Sequence, residues 1–548
     1  MPSVKLVITI SVIIGVIVVV GVGFSISSRP AGNNEKPNTN QEFKQLSRTD
    51  SIQVYNNPII RQVFLNNSTH VDTPYIKEYS MPNGTWPNAI LVARNGIVWT
   101  VGTMSHTLIG FDPKQGKIKS SNPIIAQHEE TGTNNNQGFQ MVWSIVEDND
   151  GSIWVPQGGS NPLWRFDPHT EQFQVIHSIS AAPMQMKVDK KSGNIWFTTF
   201  GSGTFGVIQK IIKNKVGITS PEYKVTEFNL GNDSFPSGIF LKGDSVWITE
   251  TLNHNKLVEF KPILDANGKV VNVSKVLEIP SLSPSSSSRQ KHFTTPTDLV
   301  VFANSTRPSS SWLAEHGTNF ITEYLIDSHN VIRFPTSSSP RHYITLPYWI
   351  AEPADHNGFW FNEHEGNRIA FFNTTALTLL EYEVPTRDPF NGYIANALTL
   401  SADPNDNNKV WFTTVLDRSL PIPFDIDSSA SEITMLSSPN NTTQKNAPPA
   451  AATLNVEETN NNNNNNRTLI FLNASSSMNP LGKFVNMIAK FYPTSIIDLN
   501  KDRSEKAQSN MILQRNGSTP ISPGNYTLGI SATNGIITKS IFRYLFVK

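Results

Sequence analysis

Residues 245–260 read SVWITETLNHNKLVEF, and residues 358–372 read GFWFNEHEGNRIAFF. Each stretch opens on a short apolar run holding one tryptophan, crosses a polar loop and enters a second apolar, aromatic run. The pattern recurs as GIVWTVG at Trp99, GSIWVPQ at Trp154, GNIWFTT at Trp196, SSSWLAE at Trp312 and NKVWFTT at Trp411. With Trp247 and Trp360 that makes seven copies, at intervals of roughly 50 residues, the signature of a repeat architecture. Upstream of the tryptophan runs stand PNAILVA, PSGIFLK, PTDLVVF and PYWIAEP; downstream come TLIGFDP, KLVEFKP and RIAFFN, then KVTEFNL and LLEYEVP. Four short β-branched and aromatic runs per unit, parted by turn residues, predict antiparallel sheets. Seven four-stranded units predict a seven-bladed β-propeller over residues 74–438. No 3.6-residue apolar period supports a helical solenoid. The tryptophans are expected between adjacent blades. YIKEYSMPNG (75–84) resembles the fourth strand of a unit, and so does SEITMLSS from Ser431; which of them closes the ring is open at this level.

The rest of the chain of 548 residues divides by composition. Residues 4–26, VKLVITISVIIGVIVVVGVGFSI, carry one charge at Lys5 and are long enough to cross a bilayer as a helix. Residues 1–27 are therefore expected to be an N-terminal transmembrane anchor, the alternative being a cleaved signal sequence. Residues 28–73 form a polar spacer. Thirteen Asn-x-Ser/Thr sites favour an exported, glycosylated body. Residues 439–466 read as a linker with an Asn-rich run, and residues 467–548 as strands. In that last part NYTLGISATNGIITKSIFRYLFV (525–547) carries a hairpin signal at Asn534-Gly535. An immunoglobulin-like β-sandwich is expected there. The overall expectation is an all-β protein. The 44 basic and 44 acidic residues cancel, which argues against nucleic-acid binding. No cysteine is present, so thiolate chemistry and Cys-ligated metals are excluded.

The repeat also ranks the candidate chemistry. In an up-and-down blade the residue after the unit-opening proline and the residue three after the tryptophan meet on one rim. The second position reads Gly102, Gln157, Thr199, Glu250, Glu315, Glu363 and Thr414 around the ring. Three consecutive glutamates predict an arc of carboxylates, a donor set for Mg²⁺ or Ca²⁺; a solvated acidic rim is the alternative. His316 and His364 follow two of these glutamates and are the candidate acid/base groups, although His364 and Glu365 fall in the loop beyond the shared position and read first as rim decoration. Asn255, Asn319 and Asn367 recur in the next loop and are expected to cap it through their own backbone. Asp112 and Asp167 read as turn residues. No phosphate loop, Gly-x-Ser-x-Gly or His-Glu-x-x-His occurs.

The units SVWITETLNHNKLVEF, GFWFNEHEGNRIAFF, GNIWFTTFGSGTFGVI and KVTEFNLGNDSFPSGI resemble the repeat of the virginiamycin B lyase (streptogramin lyase) family of seven-bladed propellers, over roughly residues 74–438. The resemblance implies a Mg²⁺ held partly by rim glutamates, a role that falls on Glu363 and on Glu315. It also implies a histidine base beside a unit-opening proline, acting in the elimination that opens a cyclic ester-linked peptide. The residues after the unit-opening prolines are Asn88, Met184, Ser237, Thr297 and Tyr348. Tyrosine thus stands where that base would be in the sixth unit, and His364 or His316 would have to replace it. Three readings follow: a surface protein binding an extracellular ligand, glycan or protein; a metal-dependent carbon–oxygen lyase; and a lactone hydrolase resembling the gluconolactonase propellers, with Asp298 as an inner-strand ligand. The anchor, the sequons and the C-terminal domain favour the first.

Overall fold

A computed structural model describes the chain from Tyr75 to Val547 with interruptions, the longer ones at 125–140, 280–292, 338–344, 385–396, 415–423, 438–450, 459–468 and 499–505. The expected anchor (1–27) and the whole of the expected spacer (28–73) lie outside the described residues. Among the described residues every regular element is a strand.

Strand β1 is Ile76–Glu78. Blade 1 comprises β2 (Pro87–Val92), β3 (Val98–Gly102), β4 (Thr107–Asp112) and β5 (Lys117–Pro123). Blade 2 comprises β6 (Val146–Glu147), β7 (Ile153–Pro156), β8 (Leu163–Asp167) and β9 (Gln172–Val175). Blade 3 comprises β10 (Gln185–Val188), β11 (Ile195–Thr199), β12 (Thr204–Lys215) and β13 (Ile218–Asn229). Blade 4 comprises β14 (Pro236–Lys242), β15 (Ser245–Glu250), β16 (Lys256–Leu264) and β17 (Val270–Ile279). Blade 5 comprises β18 (Pro296–Asn304), β19 (Arg307–Glu315), β20 (Phe320–Leu325) and β21 (Asn330–Pro335). Blade 6 comprises β22 (Pro347–Ala351), β23 (Gly358–Glu363), β24 (Arg368–Asn373) and β25 (Thr378–Glu383). Blade 7 holds β26 (Ala397–Ala402), β27 (Val410–Thr414) and β28 (Phe424–Ile426), and β1 supplies its fourth strand through the register Ile76↔Ile426, Lys77↔Asp425 and Glu78↔Phe424. The N-terminal strand therefore closes the ring.

Each tryptophan fills the gap to the following blade. Trp99 meets Phe166 edge-on at 5.5 Å, Trp312 packs on Phe372 at 4.9 Å, and Trp411 joins Val98 and Phe111 of blade 1, completing the circle. Trp154, Trp196, Trp247 and Trp360 share cores with blades 3, 4, 5 and 7 respectively. Large aromatic area buried at every blade junction is what holds such a ring of separate sheets together.

The remaining strands are β29 (Ile433–Ser437), β30 (Ala451–Glu458), β31 (Leu469–Ser476), β32 (Met487–Tyr492), β33 (Ile496–Asp498), β34 (Lys506–Arg515), β35 (Gly524–Thr533) and β36 (Ile537–Val547). They form two sheets, β36-β35-β31-β33 and β29-β30-β34-β32, with Ile470, Leu472, Leu528 and Ile530 of the first in one core with Met511 and Leu513 of the second. SEITMLSS thus supplies β29 of this unit instead of closing the ring, and β30 falls inside the stretch 439–466 expected to be linker. β36 also pairs antiparallel with β25, from Thr378↔Ile541 to Tyr382↔Ile537, so one sheet runs from blade 6 into the C-terminal unit. Phe542 plugs this junction against Phe334 of blade 5 at 5.1 Å and Phe372 of blade 6 at 5.7 Å.

Candidate functional site

The opening prolines and the positions three after the tryptophans do meet on one rim: Pro87↔Gly102, Pro236↔Glu250, Pro296↔Glu315, Pro347↔Glu363, and Ala397↔Thr414 in the unit without proline. The connections after the second and fourth strands of each blade fall on this rim. A face that collects the long connections of a rigid scaffold is where function concentrates.

A bulge follows each of these register pairs, between Pro87 and Ile90, Pro236 and Ile239, Pro296 and Asp298, Pro347 and Ile350, and Ala397 and Leu400. The extra residue takes an N–H out of the ladder. The side chain two after the tryptophan recovers it: Thr249 Oγ1 accepts from Gly238 N at 2.9 Å, and Asn362 Oδ1 from Trp349 N at 2.7 Å. The same side chains donate across the blade junction. Thr198 Oγ1 gives to Ser237 O at 2.7 Å, Thr249 Oγ1 to Thr297 O at 3.3 Å, Asn362 Nδ2 to Leu398 O at 3.3 Å and Thr413 Oγ1 to Asn88 O at 2.5 Å. A second set of ties links first strands. Met186 N donates to Ser144 Oγ, Ile239 N to Gln185 Oε1, Ile350 N to Asp298 Oδ2 and Val92 N to Ser401 Oγ. Asp298, expected as an inner-strand ligand, is thus a buried tether that also accepts from Leu299 N at 2.8 Å. Burial pushes its carboxyl above the usual range, against the pull of Lys187.

The three glutamates do not converge on the axis. Second-strand side chains project from the faces of a blade, toward its neighbours, because the first and third strands flank them within the sheet. Glu250 is fully buried, accepts from Ser234 Oγ and pairs with Lys256 Nζ at 3.0 Å. Glu315 accepts from Thr294 N at 2.7 Å and from Thr322 Oγ1, and pairs with Arg333 Nε at 3.3 Å. Glu363 faces Arg368 Nη1 at 3.6 Å. Each carboxylate is thus committed within its own blade. Among the described residues no group of three His, Asp or Glu side chains is arranged to hold a metal ion. This donor set does not fit one Mg²⁺ or Ca²⁺ shared by three blades. Nor is the rim acidic and solvated, since all three side chains are buried.

The structure does bring the two histidines together. His316 and His364 follow Glu315 and Glu363 on neighbouring blades, and their rings stack at 5.3 Å. Tyr348 lies against both, at 4.7 Å from His316 and 5.6 Å from His364. Trp143, just before β6, meets Tyr348 at 5.7 Å and Trp349 at 6.4 Å, and Met184 and Phe200 join the same apolar cluster. Burial lowers His316 to about 4, opposed weakly by the Leu346 and Pro347 backbone, and lowers His364 to about 3, helped by His316. Both rings are therefore neutral at physiological pH. Burial, aided by Asp298, pushes the Tyr348 phenol well above its ordinary value. Among the described residues His316 Nδ1 and Nε2 and His364 Nδ1 make no well-aligned hydrogen bond, the Leu346 and Pro347 backbone acting only weakly on the His316 ring.

Trp143, Trp349 and Met184 were not among the expected site residues. The one signal was PYWIA, where an aromatic pair follows the unit-opening proline. The recurrent asparagines do more than cap their loops. Asn255 donates to Leu252 O at 2.6 Å, but its Oδ1 accepts from Thr295 N of the next blade at 2.8 Å. Asn319 Oδ1 likewise accepts from Thr345 N at 2.9 Å, and Asn367 Nδ2 donates to Val384 O at 3.1 Å.

Among solved structures, a streptogramin B lyase is similar to this chain at 17% identity and a TM-score of 0.45, covering 64% of this chain and 96% of its own. Virginiamycin B lyase from Staphylococcus aureus is similar at 19% identity and a TM-score of 0.44, covering 64% and 99%. Hydrazine synthase from Kuenenia stuttgartiensis follows at 13% and 0.40, covering 64% and 96%. No protein-family model and no curated protein matches the chain. The propeller assignment stands on the strand pairing itself.

Proposed function

We propose that this chain is a membrane-anchored binding protein of the cell exterior. Its ligand is taken at the rim that bears His316, Tyr348, Trp349, Trp143 and His364. The observation that carries this reading is the largely buried cluster of uncharged rings at this rim, in which His316 Nδ1 and Nε2 and His364 Nδ1 make no well-aligned hydrogen bond. Flat aromatic faces favour a ligand with an apolar face, and unmade hydrogen bonds in an apolar site favour one that brings polar groups to meet them. A neutral glycan meets both demands. Placement outside the cell rests on residues 6–26 and on the thirteen sequons, of which Asn272, Asn516 and Asn525 are exposed. We read the two C-terminal sheets as an immunoglobulin-like sandwich that supports this rim.

The lyase reading is less well supported. Tyr348 holds the position of the base that the resemblance implies, and a phenol pushed upward by burial is a poor proton acceptor. Glu250 and Glu315 are already engaged by Lys256 and Arg333. The test is a titration of the full chain with a panel of neutral oligosaccharides, followed by tryptophan fluorescence. Saturable quenching is expected, weakened at least about tenfold by Trp349→Leu, a loss typical of removing one aromatic contact. Absence of any response across the panel would sink the glycan reading. A melting temperature raised by Mg²⁺ or Ca²⁺, with the rise lost in Glu363→Gln, would favour the metal-assisted lyase instead.

A further inference from the structure

Ten large apolar side chains are exposed among the described residues, and all but Ile118 and Leu252 fall at three places. Ile263, Leu264, Val271 and Val276 stand on the β16–β17 hairpin of blade 4. Val485 and Ile488 stand at the start of β32, and Tyr544 and Phe546 on the second half of β36. Each place is also a sheet edge. β17 is the outermost strand of blade 4, and β32 is the last strand of its sheet. β36 runs past the end of β25 from Phe542 onward and there pairs only with β35. An open edge that shows apolar side chains is a template for pairing with a foreign strand. Blades 6 and 7 cover their outer edges with the chain itself, through β36 and β1. The other three edges have no ladder partner among the described residues.

Each of the three carries a sequon asparagine, and the strand register sets it beside an exposed apolar side chain. Asn272, of Asn272-Val273-Ser274, pairs directly with Ile263 across β16 and β17. Asn525, of Asn525-Tyr526-Thr527, pairs directly with Phe546 across β35 and β36. Direct cross-strand partners share a face, with Cβ atoms about 5 Å apart. The third pair is diagonal. Asn516, of Asn516-Gly517-Ser518, donates its N to Asn486 O at 2.8 Å, one step beyond Met487↔Arg515, so Ile488 is its diagonal neighbour. Ile263 is 43% exposed and Phe546 55%, too open for core side chains. All three asparagines are exposed as well.

Strand alternation produces this arrangement on β17. Val273 turns into the core shared by blades 3 and 4, while Asn272 and Ser274 turn outward. Asn272 Oδ1 accepts from Val273 N at 2.9 Å, which leaves Nδ2, the atom that takes a sugar, unengaged. The other described sequon asparagines differ. Asn373 and Asn473 are half-buried and stand opposite Thr378 and Ser531, with no exposed large apolar partner.

We infer that Asn272, Asn516 and Asn525 carry N-linked glycans, and that these glycans cover the three apolar edges. The inference rests on the extracellular placement proposed above. The donor class is a lipid-linked oligosaccharide. Asparagine Nδ2 forms a bond to the anomeric carbon of the first sugar and loses one proton to a base. The bond from that carbon to the donor's phosphate oxygen breaks, and the lipid phosphate leaves with the electron pair. Thr527 is buried, so transfer at Asn525 precedes the pairing of β35. A sugar on Asn272 stands over Ile263. One on Asn525 stands over Phe546, whose flat ring suits the apolar face of a pyranose. Each glycan adds bulk and hydroxyls at an edge, so a second strand cannot approach it.

The test is a glycopeptide map, by mass spectrometry, of the full chain purified from the membranes of the cells that make it. Sugar is expected on Asn272, Asn516 and Asn525. If any of the three is bare while other sequons carry sugar, the inference falls and the extracellular reading stands. A chain bare at every sequon overturns the inference and also removes the sequons as support for that reading. Covering is read from self-association by sedimentation velocity. The variant Asn272→Gln/Asn516→Gln/Asn525→Gln is expected to associate at least about tenfold more tightly than the wild type. Adding Ile263→Lys and Phe546→Lys is expected to restore the wild-type size, because a charged edge resists pairing. A glycan-free variant that keeps the wild-type size overturns the covering role, and so does association that both lysines leave unchanged. The map uses no variant, so it decides the three sites whether or not the variants fold.

Discussion

At the scale of single residues, the tryptophan and the polar side chain two places later share one face of the second strand, because strand side chains alternate with period two. Thr198, Thr249, Asn362 and Thr413 consequently reach the next blade, as their tryptophans do, while the glutamates three places on point the other way. That alternation was legible in WITE, WFNE and WFTT, and it argues against a carboxylate arc. Which rim each residue occupies was also readable from the repeat. The direction of a side chain within a blade was not, because the place of the axis depends on how seven sheets stand around it. Thr249→Val tests the tether. The swap is nearly isosteric, and blade 1 already has Val101 at this place. It removes the acceptor for Gly238 N and the donor to Thr297 O, both buried. A loss of about 1–3 kcal/mol in urea unfolding is expected for an unsatisfied buried donor. A change under about 0.5 kcal/mol, the scatter of neutral surface substitutions, would mean the tether contributes nothing.

At the scale of elements, the period and the four-strand unit were readable because each depends on local pattern. Pairing partners were not. YIKEY and SEITMLSS are both short alternating runs, and either could have served as a fourth strand. Only the long-range register of β1 on β28 separates them. The docking of β36 on β25 was equally hidden, although its consequence is physical: an exposed outer strand invites pairing with foreign chains, and here the chain covers that edge itself. Side-chain packing as well as the ladder holds this joint. Phe542 is buried between Phe334 of blade 5 and Phe372 of blade 6. Phe542→Ala is expected to lower stability by about 3–5 kcal/mol, the range for emptying a buried phenylalanine site. Because the loss falls at a domain junction, hydrogen exchange should quicken in both β25 and β36. Quickening confined to β36, with β25 still protected, would show that blade 6 does not depend on the C-terminal sheet.

At the scale of the whole molecule, the ring is closed by very little chain. β1 contributes three paired residues, too few for a ladder alone to hold blade 7 in place. The residues on either side supply the rest. Tyr75 is buried against Tyr382 of blade 6 at 5.5 Å. Tyr79 stacks on Trp411 of blade 7 at 5.8 Å and touches Phe111 of blade 1 at 4.8 Å. The clasp therefore grips three consecutive blades with two aromatic rings and a short strand between them. On the neighbouring sector the C-terminal unit bridges blades 5 and 6, so the first and last of the described strands secure adjacent parts of one circle. Blades 2, 3 and 4 stand opposite, held by their tryptophans and tethers and by contacts such as the Lys210–Asp150 ion pair and the Phe205–Phe260 ring pair. If the clasp governs closure, Tyr75→Ala and Tyr79→Ala act on one cooperative event, and their effects couple instead of adding. Tyr75→Ala is expected to cost about 3–5 kcal/mol, the range for a buried aromatic, and Tyr79→Ala about 2–4 kcal/mol because Tyr79 is only partly covered. In the double variant, hydrogen exchange should accelerate through β26, β27 and β28 while β11 and β15 keep their protection. Uniform acceleration over all seven blades would mean that the ring opens as one unit and that the clasp has no local role. An unchanged blade 7 would mean that closure rests on Trp411 and the ties of Thr413 and Ser401 to blade 1.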